Sequence, residues 1–410
     1  MILARNHLQR LSGNRFSFLL LLLVLAGCSP KIRKTTDTPV REQEKAIEKK
    51  EVRRFSEARI SLLLPFDISR AKLAAVTKQD LEKSSLAIDF YQGFKLGLDS
   101  AAQSGLNFQL HVFDTRDENS QIATLYKNED FQTSHLLVGP IFPQGQKFIA
   151  SYAHEHQIPV VSPLAASNPR EFNNPNLVSV VNNIELHAGK IVDYISDHYD
   201  PAKTIVVLIN PKTTDDEIFA APLRSQLRQN KRKFVVQEFA SVYALERRLV
   251  KGKNYAVLIT SDDRKFVTPS IDKLYKLKFL KTGGYPINLF GHPNWMKQSY
   301  STDKLQKLNT SITSSYKVDY KSAVTKSFIR KYRSTFGFEP GEYAFKGFDN
   351  GLYFGRLLSK YGPAYARHLP DEPYKGLHNN FRFVYDRELG YINTELMLLR
   401  YSNYALQVID

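Results

Sequence analysis

The side chains able to do chemistry are few and scattered in this sequence. His154 and His156 form an HxH pair, but a two-residue offset on a helix turns the two rings about 200° apart, which does not suit a shared metal ion. There is no HExxH, no GxGxxG after a strand, no phosphate-binding loop and no GxSxG, so the signatures that place a nucleophile, a base or a phosphate cradle are missing. The single cysteine, Cys28, excludes a disulfide framework, a cysteine-based zinc site and an iron–sulfur cluster, each of which needs at least two thiols. No enzyme activity and no cofactor are expected. The 26 Phe and 22 Tyr serve most simply as core, including Tyr343, Phe345 and Phe348, which read as a helix face against a sheet. With 410 residues, 42% of them hydrophobic and 24% charged, the chain is globular and long enough for two or three domains.

The position of Cys28 says more than its chemistry. Residues 1–15 carry Arg5, Arg10 and Arg15 and no acid, and residues 16–26 are an apolar run interrupted only by Ser17. Eleven residues are too few to span a bilayer, which takes roughly 20; the order is that of a secretory leader. It ends in Leu25-Ala26-Gly27-Cys28-Ser29, which resembles the lipobox of bacterial lipoproteins, where the cysteine is acylated and becomes the first residue. The expected divisions are a leader over 1–27 and a lipidated, solvated tether over 28–58, whose charged, aromatic-poor sequence buries too little surface to offset its ordering entropy. Two or three acyl chains hold a protein stably at a membrane surface. Ser29 is compatible with the outer membrane, facing the periplasm. The net charge of +16 becomes +13 without the leader, from 54 basic and 41 acidic residues. That charge is dispersed, and a secreted lipoprotein meets little nucleic acid; acidic envelope polymer is the more sensible anionic partner.

The elements that must position any site alternate from Arg59 onward. Residues 59–66 (RISLLLPF) form a continuous apolar run of the kind a buried parallel strand gives, and a polar stretch follows to Lys83. Leu86, Phe90, Phe94, Leu98 and Ala101 then recur at helical spacing up to Gly105, with Gly93 and Gly97 one turn apart for close packing on the sheet. Strands are expected at 108–114, 135–142 and 158–165, separated by helices. After Asn182-Asn183 the alternation restarts with strands at 204–210, 233–239, 255–263 and 286–291. Helices are expected over 322–336 and 343–361, and the last forty residues read as strands. Parallel strands with crossover helices, in two successive modules, predict an α/β chain of two lobes, each a parallel sheet covered by helices on both faces.

The opening strand, VGPIF at 138–142, IPVVSPLAASNP at 158–169, LFGHPNW at 289–295 and the segment at 328–354 together resemble the type I periplasmic binding proteins, the branched-chain amino-acid receptor branch. The resemblance implies two lobes joined by crossings near Asn182, near residues 316–319 and near Pro370: lobe 1 from 59–182 plus 319–370, lobe 2 from 183–318 plus 371–410. It implies a small polar, amino-acid-like ligand between the lobes, possible delivery to an ABC-type permease, and candidate ligand residues at Gln144, Ser162, Ser167, Asn210, Asp262 and Asn294. Asn294 stands where the family usually has an acid for the ligand ammonium, and Asp262 or Asp263 is the nearest substitute. The carboxyl-terminal half of the outer-membrane lipoproteins that activate penicillin-binding proteins shares the same motifs, which implies an alternative role: a regulator of a peptidoglycan synthase acting through protein contacts.

Overall fold

The computed structural model describes residues 2–3, 55–67, 76–281 and 284–410. Cys28, the leader apart from residues 2–3 and all of the tether up to residue 54 lie outside the described residues. The first sheet begins with β1 (Glu57–Leu64), two residues before the expected start, and Phe55 already packs edge-on against His135 at 5.1 Å. Helix α1 (Lys78–Ala101) starts well before Leu86. The reason is a capping box: Thr77 accepts from the Asp80 N–H, and the Asp80 carboxylate accepts in return from the Thr77 N–H, which satisfies two helix-end donors at once. A short 3-10 turn follows, and Gly105 closes it at φ +96°.

Strands β2 (Asn107–Asp114), β3 (Leu136–Val138), β4 (Val160–Ser162) and β5 (Leu177–Ser179), with helix α2 (Pro143–Glu155) between β3 and β4, continue the first sheet in parallel in the order β2-β1-β3-β4-β5. Residues 2–3 lie antiparallel along the β2 edge. The expected strand at 135–142 stops at Val138 because Gly139 turns at φ +91° and Pro140 has no N–H for the ladder. Ile60, Leu62 and Leu64 face one core and Leu63 the opposite one, the two-residue period of a strand covered on both faces.

The second sheet follows helix α3 (Ile184–His198). It contains β6 (Thr204–Ile209), β7 (Val235–Phe239), β8 (Asn254–Ile259), β9 (Ile287–Phe290) and β10 (Ser311–Ser314), with α4 (Thr214–Gln229) and α5 (Arg264–Lys278) among its crossovers. The parallel order is β7-β6-β8-β9-β10. Ile205, Val207 and Ile209 enter one core, and Val206 and Leu208 the other.

Helices α6 (Ala323–Phe336) and α7 (Glu342–Tyr361) return to lobe 1. Strands β11 (Phe383–Asp386) and β12 (Gly390–Asn393) then join the first sheet, β12 parallel to β5 through Tyr391–Val178 and Ile392–Ser179. Only β13 (Met397–Ser402) and β14 (Ala405–Val408) belong to the second sheet, as an antiparallel pair beside β10. The third crossing therefore lies at 394–396, not near Pro370, and residues 371–393 belong with lobe 1. Apolar patterning marks these segments as strands without saying which sheet edge accepts them.

Gly93 and Gly97 do pack closely, but against α7 and not against the sheet. A Cβ on Gly93 would strike the Ala344 carbonyl and one on Gly97 the Phe348 carbonyl; Gly347 and Gly351 on α7 meet the Phe90 and Phe94 carbonyls in return. Asp89 of α1 accepts from the Ala344 N–H at 3.1 Å and from the Tyr332 hydroxyl at 2.8 Å, so α1 supplies an acceptor for the α7 amino end, whose own N-cap, Gly341, has no side chain to offer. Phe345 follows the same geometry: it packs on Phe328 of α6 instead of facing the sheet.

Candidate functional site

The carboxyl ends of the parallel strands in both lobes face one another across the crossings. From lobe 1, the turn after β3 contributes Ile141 and Phe142, the loop after β4 contributes Leu164 to Ser167, and α7 contributes Tyr343 and Lys346. From lobe 2, the short helix Pro293–Lys297 after β9 contributes Asn294, Met296 and Lys297, and the end of β10 contributes Thr313 to Ser315. The crossing segments add Asn182 and Tyr316, and the lobe 1 segment bridged to Tyr316 adds Asn379. These residues enclose two adjoining compartments of about 350 and 170 Å³ that share Leu164, Ala166, Lys297 and Lys346. Open α/β sheets place ligands at strand carboxyl ends. A wider groove of about 1070 Å³ runs along the crossings and α3. Its charges are of both signs and pair across it, as in Lys190–Asp410 at 3.2 Å.

The inner compartment is polar and ordered. Lys346 is buried (8% exposed); its Nζ meets Glu342 Oε1 at 2.7 Å and lies 5.1 and 5.2 Å from the Tyr316 and Tyr343 ring centres. Burial pulls the Lys346 pKa down while Glu342 works the other way. Burial pushes Glu342 up, but Lys346 and then Lys297 outweigh it and hold its carboxyl below the usual range. Tyr316 stacks on His378 at 4.4 Å. Beneath them, fully buried Asp349 accepts from the N–H groups of Leu377, His378 and Asn379 at 2.8, 2.8 and 3.0 Å, which fixes the lobe 1 segment that carries Asn379. The sole tryptophan, Trp295, is buried and donates from Nε1 to the Ser261 carbonyl at 2.9 Å, anchoring the helix that presents Lys297.

His187 lines the cavity and meets the Thr313 hydroxyl at 2.8 Å; His292 packs edge-on against Phe219 at 5.0 Å. Burial drives His187 from 6.5 to about 3, with His292 adding to it, and drives His292 to about 4 against the pull of Asp262 and Asp216. Both folded values lie below the unfolded one, so the stability they contribute is complete above pH 6.5 and is lost as pH falls through about 4 and then about 3. The thermal midpoint is therefore expected to fall between pH 6.5 and 4, and His187→Asn to flatten part of that fall; parallel profiles for variant and wild type would contradict the assignment.

No family model and no curated protein sequence matches the chain. Solved structures do. A putative branched-chain amino acid ABC transporter from Rhodospirillum rubrum is 14% identical, with 86% of this chain and 100% of that one covered at a TM-score of 0.61. The ABC transporter substrate-binding protein from Desulfitobacterium hafniense in complex with Leu is 16% identical, with 86% and 100% covered at 0.53. One from Sphaerobacter thermophilus is 16% identical, with 86% and 97% covered at 0.53. The chain has the type I periplasmic-binding-protein fold. Within that fold the two compartments are the interlobe cleft.

The residues anticipated from sequence are distributed unevenly around this cleft. Ser167 and Asn294 line it. Asp262 sits at its margin, where its Oδ2 accepts from the Asn294 amide at 2.7 Å. Ser162 is buried at the end of β4 and does not reach either compartment. Asn210 is fully buried in a network of lobe 2, donating to Glu217 and Glu238 at 2.7 and 2.8 Å. Gln144 faces a separate surface groove with Tyr126 and Phe148, one helical position beyond Pro143, which does line the cleft. His156 is folded back on Tyr152, and among the described residues no cluster of His, Cys, Asp and Glu could hold a metal ion. Sequence reasoning missed Lys346, Lys297, His187 and Asn182. The signal for the first was present: Lys346, Asp349, Asn350 and Tyr353 form a polar stripe at i, i+3, i+4 and i+7 of an otherwise apolar, glycine-rich helix, and buried polar stripes need a reason.

Proposed function

We propose that this chain is a lipid-anchored solute-binding protein of the bacterial envelope, tethered through Cys28 at a membrane, the outer one by our reading, and facing the periplasm. It closes its two lobes on a small polar ligand and releases it unchanged, for uptake through an ABC-type permease. The observation that carries this reading is the polar interlobe cavity, lined by Lys346 of lobe 1, by Lys297, Asn294 and Ser315 of lobe 2 and by Asn182 where the chain crosses between them. A regulator acting only through outer-surface contacts has no use for such a site. The fold shared with the Leu-bound neighbour supports the same reading.

The test is a metabolite screen on the full chain in detergent, read by thermal shift and by Trp295 fluorescence, with small-angle scattering of any hit. A ligand of this kind raises the melting temperature, as anything binding only the folded state must, shifts the emission of Trp295 beside the cleft, and contracts the particle. A screen without a hit sinks the reading. Cys28→Ala is expected to move the protein from the membrane to the soluble fraction; retention at the membrane would refute the anchor.

A further inference from the structure

The interlobe cavity carries an excess of one sign of charge. Lys297 from lobe 2 and Lys346 from lobe 1 line both compartments, and among the described residues no aspartate or glutamate lines either. Glu342 is paired with Lys346 at 2.7 Å and so balances one of the two ammonium groups. Lys297 is exposed and pairs with no carboxylate among the described residues. The nearby Asp262 does not substitute: its Oδ2 is held by Asn294, and the residue lies outside the lining. One positive charge is left over where two lobes meet.

One further feature constrains what could neutralise it. The outer compartment is walled by Leu86, Ile141, Phe142 and Leu164, which welcome an apolar body. A zwitterionic amino acid would bring its ammonium beside two lysines with no carboxylate in the lining to receive it, and like charges at close range repel.

We infer that the ligand is a small monoanion with an apolar body, its carboxylate bridging Lys297 and Lys346 across the cleft. The inference rests on the solute-binding reading and adds a mechanism to it. Without an anion the two ammonium groups repel across the lobes; with one bound between them the sign of the interaction reverses, and closure follows from charge.

Four compounds sharing one carbon skeleton test this by calorimetry on the full chain: leucate, isocaproate, leucine and isocaproamide. Leucate and isocaproate are expected to bind alike, each at least ~10-fold tighter than leucine or the amide. Lys297→Gln is expected to lose about tenfold in leucate affinity while Lys297→Arg keeps most of it, and added salt weakens binding. The Trp295 emission and melting temperature of each variant confirm that it is folded. Leucine or the amide binding as tightly as leucate, an unchanged affinity in Lys297→Gln, or no binding by any of the four at millimolar concentration would overturn the anion inference. The two readings fail separately: a zwitterionic, neutral or cationic hit from the metabolite screen removes the anion and keeps the solute-binding role, whereas a screen with no hit removes both.

Discussion

Gly93→Val is expected to be the most damaging single substitution outside the sheets. The α1–α7 contact brings the two backbones together at Gly93, Gly97, Gly347 and Gly351, where an added Cβ meets a carbonyl group of the facing helix and not the yielding end of a side chain. Overpacking of this kind costs about 1–3 kcal/mol at a typical core site; with backbone on both sides we expect the upper end or beyond. At roughly 2–4 °C per kcal/mol for a domain of this size, the melting temperature falls on the order of 10 °C. The contrast is Gly189→Ala in α3, where a Cβ finds nothing nearer than the end of Gln226 at 3.9 Å and helix propensity alone favours alanine by about 1 kcal/mol. Thermal melting followed by circular dichroism separates the two, and equal melting temperatures would show that the helices are free to part.

The second large effect is expected at Asp349. Asp349→Ala removes the acceptor of three backbone N–H groups and of the Tyr374 hydroxyl at once, and donors left unpaired in the interior cost about 1–3 kcal/mol each where water cannot replace the lost partner. The loss falls on the segment at 377–379, so the variant is expected to melt earlier and also to bind cleft ligands more weakly, Asn379 being part of the lining. The carboxyl has a pH signature. Burial raises its pKa from 3.8 to about 6, with the N–H groups of Asn379, Leu377 and His378 opposing the rise. The folded form holds the proton more tightly than the unfolded one, so the stability gained is complete below pH 3.8 and is lost as pH rises through about 6. Against Asp349→Asn, which does not titrate, the wild-type advantage in melting temperature should be largest near pH 4 and shrink towards pH 7; an advantage independent of pH would contradict the raised value.

Much of this architecture is legible in the amino-acid sequence, for identifiable reasons. Strands such as β6 and β8, buried on both faces, appear as unbroken apolar runs, and the restart of the alternation after Asn182-Asn183 marks a second lobe. Three things escape the same reading. The start of α1 lies in a capping box surrounded by charged residues, so apolar periodicity finds the helix only from Leu86. The assignment of β11 and β12 to lobe 1 depends on which sheet edge is open. The site is the hardest part: motif positions led to Ser167 and Asn294, which line the cleft, and equally to Asn210 and Gln144, which do not. Lys297 and Lys346 come from opposite lobes and matter only because folding brings them together.

The interleaving of the lobes also bears on how the molecule is made. A ribosome delivers β1 to β5 long before β12, their partner at the sheet edge, and β6 to β10 before β13, so neither half can be completed until nearly the whole polypeptide has emerged. Pairings that distant in sequence form slowly. A stop codon after β12 would release a product whose second sheet has a raw edge along β10, open to pairing with another molecule.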